Sequence, residues 1–319
     1  RRPILACVFC KVFYFSYYTP NSVHNSNESQ VHRLIHQKWA ERPSRGTGKR
    51  PDLAARNSRQ SYDYIKPPAP GLRTTLELFK TLRNSRSYLN HTIEASGPLV
   101  GAHVALPVPP YTLGAWLGDG TSRNGDISGI DEGVFDQVLL DGFPSAARDN
   151  VTRKIVGLAP LLRAAGLLGN KNVPDSYLRA SVEQRTALLQ GIMDTDGWVE
   201  KDGSCAVGFT SKRLFGCTVE LIRSLGIAPL TRRCIKTCTN SKTRAQSIYF
   251  QATFRTTIAA FRLVRKLSRQ KRTMTERTAS RYISDVRPIQ SVPVCCIGVS
   301  ASDGMFIAGR QMIRTHNTD

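Results

Sequence analysis

The sequence predicts an α+β centre set between β-rich ends, and three observations carry that reading. From Tyr111 onward, patches of helical periodicity alternate with short strand-like runs. After Arg281 the texture turns to short apolar runs broken by turn residues, which is β-rich. Two stretches, "TLGAWLGDG" (112–120) and "LQGIMDTDG" (189–197), repeat one pattern in which apolar and small residues run into Asp-Gly.

Composition narrows the function classes. The chain has 319 residues, enough for two domains of about 100–200 residues each. Hydrophobic content of 40% and charged content of 22% are those of a globular protein. The charge balance is unusual: 45 Lys and Arg face 24 acids, a formal +21. Such a surface attracts polyanions at long range, and nucleic acid suits it best. A basic surface that merely aids solubility is the weaker reading, because Arg and Lys recur within helical and strand-like stretches. The most apolar stretch, "PILACVFCKVFYFSYY" (3–18), is interrupted by Lys11 and is too short on either side to span a bilayer. No small-residue cleavage site follows its leading Arg-Arg to make a signal peptide. The expectation is a cytoplasmic monomer with no membrane partner. The eight cysteines are scattered, which argues against a disulfide scaffold. "CVFC" and "CIKTC" read as halves of zinc sites, but no well-spaced His or Cys completes four ligands.

Residues 1–39 alternate aromatic and polar side chains and read as strand-like. Residues 40–73 are rich in Pro, Gly, Ser and Arg, the texture of a linker or long loop. "TTLELFKTLRN" (74–84) places Leu76, Phe79 and Leu82 at helical spacing. "GPLVGAHVALPVPP" (97–110) is extended, because each proline disfavours helix at itself and before it. Helices are expected at 111–119, 131–140, 155–168, 181–195, 212–225 and 254–269, with strands in "CAVGFTS" (205–211) and "SIYFQATF" (247–254). Near the end, "SVPVCCIGVS" and "GMFIAG" read as a hairpin with "ASDG" as its turn.

The two Asp-Gly runs carry the chemistry. Gly114 and Gly118 share one helix face, and a face without side chains lets another backbone come close. Gly191 and Thr195 repeat the spacing. Packing the two helices along these faces brings Asp119 and Asp196 out side by side at the same end. Two carboxylates at two helix C-termini are unfavourable unless a cation joins them. Hard oxygen ligands with open positions suit Mg²⁺ or another divalent cation, whose chemistry includes phosphodiester cleavage. Either run alone reads as a helix ending in a glycine cap; the pair, in a basic protein, says more.

With these residues the sequence resembles the LAGLIDADG homing endonucleases in the dodecapeptide form carried inside inteins. "LQGIMDTDG" is the closer match; "TLGAWLGDG" lacks the first acid of the pattern but keeps the last, which the family uses at its metals. "LLGNKNVPDSYL" (167–178) is similar to the block in which the family sets a lysine ahead of an aliphatic-Pro pair, here Lys171 before Val173-Pro174. "FTSKRLFGCTVELIRSLGI" (209–227) is similar to the Ser…Leu-Gly-Ile helix after the second motif. The resemblance implies two αββ units about paired helices, with sheets forming a saddle over the major groove of double-stranded DNA. It makes Asp119 and Asp196 the metal-binding acids, and Lys171 a group that polarises water or neutralises charge on the phosphate. The alternative for Lys171 is a solvated loop lysine. Phosphate contacts are then expected from Arg232, Arg233, Lys236, Lys242 and Arg244, and from "FRLVRKLSRQKR" (261–272).

The chain ends "QMIRTHNTD". An Asn side chain can cyclise onto its own carbonyl and break the following peptide bond. An adjacent His can protonate the leaving amine, and a hydroxyl on the next residue can accept a transferred chain. His316, Asn317 and Thr318 supply these three groups. With "CCIGVSASDGMFIAG" ahead of them, the ending resembles an intein C-terminal splice junction on an all-β Hint (horseshoe) domain, with Thr318-Asp319 beginning the host extein. The front does not open with the usual Cys or Ser, and no Thr-x-x-His block precedes the centre. Either the N-terminal block is truncated or degenerate, or the chain resembles inteins that use an internal cysteine. Cys296, Thr315 and Trp39 would then be the nucleophile and its helpers, while Cys296 as a buried core cysteine is the other reading. The expected organisation is an N-terminal Hint part with a basic linker (1–100), an endonuclease (110–270), a C-terminal Hint part (281–317) and host sequence (318–319). A DNA-binding relative without cleavage, and a splicing-only element with a decayed endonuclease, are the alternatives. Retention of both acids favours cleavage.

Overall fold

The computed structural model describes residues 13–15, 71–237, 246–274, 279–289 and 297–316. They divide between two compact units, one drawn from 1–93, 282–304 and 316–319, the other from 94–281 with 305–315. Trp39, Lys242, Arg244, Cys296, Asn317 and Thr318 lie outside the described residues.

In the first unit, β1 (Phe13–Phe15) pairs antiparallel with β2 (Gly71–Arg73). Helix α1 (Thr75–Thr81) opens with a capping box. Thr74 Oγ1 accepts the Glu77 N–H at 3.2 Å, and the Glu77 carboxylate accepts the Thr74 N–H at 2.7 Å. The helix is shorter than its sequence spacing predicts, and its buried residue is Leu78; Leu76 and Phe79 stay 56% and 57% exposed. Strand β3 (Thr92–Glu94) follows.

The second unit contains two copies of one pattern, α-β-β-α-β-β. The first comprises α2 (Pro110–Asp119), β4 (Asp126–Ser128), α3 (Glu132–Leu140), β5 (Ser145–Ala147) and β6 (Thr152–Ile155). Its sheet runs β4-β6-β5, and the opening strand of the pattern is reduced to one bridge, Gly120 to Ile127. Two short helices, α4 (Leu158–Ala164) and α5 (Asp175–Leu178), lead to the second copy. That copy comprises α6 (Val182–Thr195), β7 (Gly197–Val199), β8 (Cys205–Phe209), α7 (Lys212–Ser224), β9 (Leu230–Thr237) and β10 (Gln246–Phe254). Its sheet runs β7-β8-β10-β9, with every pairing antiparallel. The α+β expectation holds, while the αββ unit needs correction: a second helix, α3 or α7, sits between the two hairpins of each copy.

Helix starts follow local chemistry. Pro110 occupies the first turn of α2, where no N–H partner is needed. Ser181 and Gln184 form a capping box for α6, and Ser211 caps α7. The long helix expected at 254–269 shrinks to α8 (Val264–Leu267). Polar side chains take the backbone N–H groups just before it: Gln270 Oε1 accepts from Ala260 at 3.0 Å, and the Asp194 carboxylate accepts from Arg262 and Leu263. Towards the end, β11 (Ser280–Tyr282), β12 (Met305–Ala308) and β13 (Ile313–His316) are short. Ser302-Asp303 form a turn and β12 pairs with β13; residues 297–300 are irregular, and residues 290–296 of the expected hairpin lie outside the described residues.

The centre of the second unit is the contact between α2 and α6. A Cβ on Gly114 would lie 2.3 Å from the Leu188 carbonyl oxygen, and one on Gly191 would lie 2.1 Å from that of Tyr111. The two backbones therefore touch, and the stripe of small residues is what permits it. Leu113, Trp116, Leu117, Leu188, Ile192 and Met193 bury the flanks completely. On the second sheet, Phe215 of α7 stacks on Phe250 of β10 with centroids 5.6 Å apart. Gly191→Ala is expected to lower stability by roughly 3 kcal/mol, since backbone and not a flexible side chain occupies the space. Urea unfolding checks it; an unchanged midpoint would contradict the close helix contact.

Candidate active site

Asp119 ends α2 and Asp196 caps α6. Gly118 lies against the second helix end: a Cβ there would be 2.0 Å from Thr195 Oγ1 and 3.4 Å from Asp196 Oδ2. The glycine stripe thus brings the two acids to one place. Burial raises the pKa of Asp119. Asp196 is pushed up to about 6, first by burial and then by the negative charge of Asp119.

Two lysines enclose the pair. Lys171 Nζ donates to the carbonyls of Leu117 at 3.2 Å and Gly118 at 3.1 Å, capping α2, and its ammonium sits 5.1 Å from the Trp116 ring centroid. Buried Val173 anchors the loop behind it, and the Gly169 N–H donates to the Ser122 carbonyl at 2.7 Å. Burial lowers Lys171 to about 8, against the pull of Asp196 and Asp119. Lys266 does the same for α6: its Nζ lies 2.6–3.3 Å from the carbonyls of Met193, Asp194, Thr195 and Gly197. An ammonium has three donors. Lys266 is saturated by four acceptors, whereas Lys171 keeps one N–H beyond its two carbonyls. Each lysine follows an acid in sequence and caps that acid's helix, where positive charge complements the dipole. Sequence reading missed Lys266, because nothing in "FRLVRKLSRQKR" separates it from its basic neighbours except the internal repeat.

Asp194, the other acid of "LQGIMDTDG", is 2% exposed and structural. It accepts from Tyr111 Oη at 2.9 Å and from the Arg262 and Leu263 N–H groups, tying the stretch before α8 to the helix pair. The first run has Leu117 in that place, buried in the core.

The donor set suits a hard divalent cation. Asp119 is exposed and Asp196 half-buried where the two helix ends meet, the charge of Asp119 raises the cost of ionising Asp196, and the nearby ammonium groups are largely spent on carbonyls. No group of three His, Cys, Asp or Glu gathers among the described residues. Mg²⁺ is commonly held by one or two carboxylates, with waters and phosphate oxygens completing the shell.

Strand pairing sorts the expected DNA contacts by sheet face. In β9, Arg232 pairs with Gln251 and Arg233 with Phe250. Arg232 therefore shares the face of Gln251, Tyr249 and Trp198, and Arg233 shares the face covered by α7. Arg232 Nη2 donates to Gln251 Oε1 at 2.8 Å. Lys236 lies on the same polar face, 3.6 Å from the Tyr249 ring centroid and 5.5 Å from that of Trp198. The first sheet likewise presents Lys154, Ser128 and Asp126, the last paired with Arg148 at 2.5 Å, on the side away from α3. Thr315 and His316 end β13; Thr315 is buried, and the His316 ring lies against Gly304, whose added Cβ would meet Nε2 at 2.7 Å. Cys205, Cys217 and Cys234 are free thiols. No helix among the described residues is long and apolar enough to cross a membrane.

Residues 172–283 match the family model described as homing endonuclease. A replicative DNA helicase DnaB of Mycobacterium intracellulare is 37% identical over 255 residues, which is 77% of this chain and 42% of the helicase. The chain thus spans less than half the length of that curated relative. Among solved structures, mesophilic variants of the homing endonuclease I-DmoI are 14% identical, with 46% of this chain and 88% of that chain covered and a TM-score of 0.30. I-DmoI in complex with DNA and Mn is 15% identical, with 46% and 89% covered and a TM-score of 0.30.

The raised Asp196 pKa has a defined sign in stability. Between its ordinary value of 3.8 and about 6 the folded chain holds more protons than the unfolded one, so stability from this group falls as pH rises through that window. In EDTA at pH 7, Asp196→Asn is expected to be more stable than the wild type, on the order of 2 kcal/mol. The variant also lacks the loss between pH 4 and 6. Urea titrations across that range decide it, and a less stable Asn variant at pH 7 would refute the electrostatic picture.

Proposed function

We propose that this chain is an intein-type element carrying a site-specific DNA endonuclease that cuts both strands with a divalent cation. The observation that supports it best is the pair of acids at two touching helix ends, Asp119 exposed and Asp196 half-buried, flanked by polar, basic sheet faces. The homing endonuclease match covers Asp196, Lys266 and the second sheet. The DnaB relative suggests a replicative DNA helicase as the host protein.

In this reading Asp119 and Asp196 would hold the cation from opposite helices, whose close packing at Gly118 sets the two helix ends side by side. The cation would supply charge neutralisation at the phosphate and activation of water for in-line attack. Lys171 uses its remaining N–H towards the phosphate or its attacking water. Lys266 holds the end of α6 in place. Arg232 and Lys236 reach backbone phosphates, and base readout falls to the polar face around Gln251 and Tyr249. Arg233 adds charge on the edge strand β9, and Lys242 and Arg244, outside the described residues, remain phosphate-contact candidates on sequence alone.

The splicing part of the proposal rests on the sequence of the junction. The Asn317 side-chain nitrogen attacks its own carbonyl carbon, the bond to Thr318 breaks, and His316 protonates the leaving amine. Thr318 is the acceptor hydroxyl; Cys296, with Thr315 and Trp39, is the internal-cysteine route for the first step. The division into 1–100, 110–270, 281–317 and 318–319 is kept with it. A chain that binds DNA without cutting is the second reading, favoured only if the acids prove dispensable for function.

With Mg²⁺, the purified chain should linearise a plasmid bearing the uninterrupted host gene. Asp119→Asn and Asp196→Asn should each slow this by about 100-fold or more while leaving DNA affinity intact. Binding without cleavage by the wild type in any divalent cation would favour the binding-only reading. Intact mass of a chain with a C-terminal extension should drop at Asn317 and stay whole in Asn317→Ala; a chain that stays whole in both would mark the splicing site as inactive.

A further inference from the structure

Helix α7 carries Glu220 and Arg223 one turn apart, on one helix face. Buried Glu220 already faces two guanidinium groups, Arg179 at 3.0 Å and Arg310 at 3.7 Å. Arg223 has no hydrogen-bond or ion-pair partner among the described residues, and its Nε is shut off from solvent. Arg281 of β11, bound to the carbonyl next to Arg310, stands near enough for its charge to act on Arg223, which burial and that charge lower to about 10 against the pull of Glu220. Arg281 is itself part-buried, and its one hydrogen bond among the described residues goes from Nη1 to the Gln311 carbonyl. Each guanidinium offers five N–H donors and stays charged at neutral pH. Two such groups, part-buried, like in charge and with few hydrogen-bond partners among the described residues, are costly when one carboxylate, Glu220, is already shared with Arg179 and Arg310, and an added anion would relieve that cost.

We propose that Arg223 and Arg281, rimmed by Arg179 and Arg310, form a binding site for a phosphate-class oxyanion. Planar guanidinium forks fit tetrahedral oxyanions by paired N–H···O bonds, which a lysine cluster would not do with the same geometry. The site belongs to α7, which covers the Phe250 face of the second sheet. It is therefore distinct from the polar face that carries Arg232 and Lys236. The ligand is either free phosphate or a backbone phosphate of duplex DNA extending past the cleavage region. The proposal does not depend on cleavage or splicing.

Thermal unfolding of the full chain tests it, with inorganic phosphate compared to sodium chloride at equal ionic strength. Phosphate should raise the wild-type Tm by a saturating few degrees beyond chloride. Arg223→Gln should lose that rise and, in chloride, be at least as stable as the wild type, because an uncompensated charge is gone. Arg281→Gln should weaken the rise in the same direction. A phosphate effect no larger than that of chloride, or one retained by Arg223→Gln, would overturn the proposal. So would an Arg223→Gln Tm that falls equally in both salts, the mark of a packing role. Anisotropy with random-sequence duplexes separates the two sources. If DNA is the ligand, Arg223→Gln weakens only the longer duplex and lowers its salt slope by about 1. If the ligand is free phosphate, the slopes coincide while the phosphate-specific Tm rise is still lost.

Discussion

Backbone contact between α2 and α6 is the constraint on which the rest of the second unit depends. Gly114, Gly118 and Gly191 remove the side chains that would hold the helices a normal distance apart. Close approach sets the two helix ends next to each other, and the helix ends carry the acids. The same contact aligns the two copies of the α-β-β-α-β-β pattern, so that each helix is followed by a sheet with the same strand order. One packing choice therefore fixes both the chemistry and the surface around it.

Electrostatics then shapes what the packing brings together. Two dipole ends and two carboxylates meet, and the fold answers with a lysine at each helix terminus. The answer is unequal. Lys266 is 7% exposed and satisfied by main-chain oxygens, so it serves as a cap. Lys171 retains donor capacity and a lowered pKa near 8, so it is the more adaptable cation beside the acids. Neither offsets the burial and the Asp119 charge that push Asp196 to about 6. A divalent cation would.

Much of this was legible in the sequence because it depends on local spacing. Glycines four apart, Asp-Gly endings, capping boxes and alternating strands all act within a few residues. The pairing of Asp119 with Asp196 and the placing of Lys171 followed from such patterns and from the family resemblance. What was missed depends on contacts distant in the chain. Asp194 takes backbone N–H groups from 262 and 263, which turns a stretch of apparent helix into an irregular strap. Lys266 caps a helix that ended some seventy residues earlier. Arg233 looks equivalent to Arg232 until the register with β10 assigns them opposite faces. The junction at Asn317 and the nucleophile candidate Cys296 lie outside the described residues and stand on sequence alone.

The central claim is that the two acids form one cation site made by helix packing. Calorimetric titration of the DNA-free chain with Mn²⁺ near pH 6, in buffers of different ionisation enthalpy, tests it most directly. One cation should bind and release about half a proton, because Asp196 is partly protonated there before the cation arrives. Both should vanish in the Asp119→Asn, Asp196→Asn double variant. Binding that persists unchanged in that variant, or binding without proton release, would contradict the account.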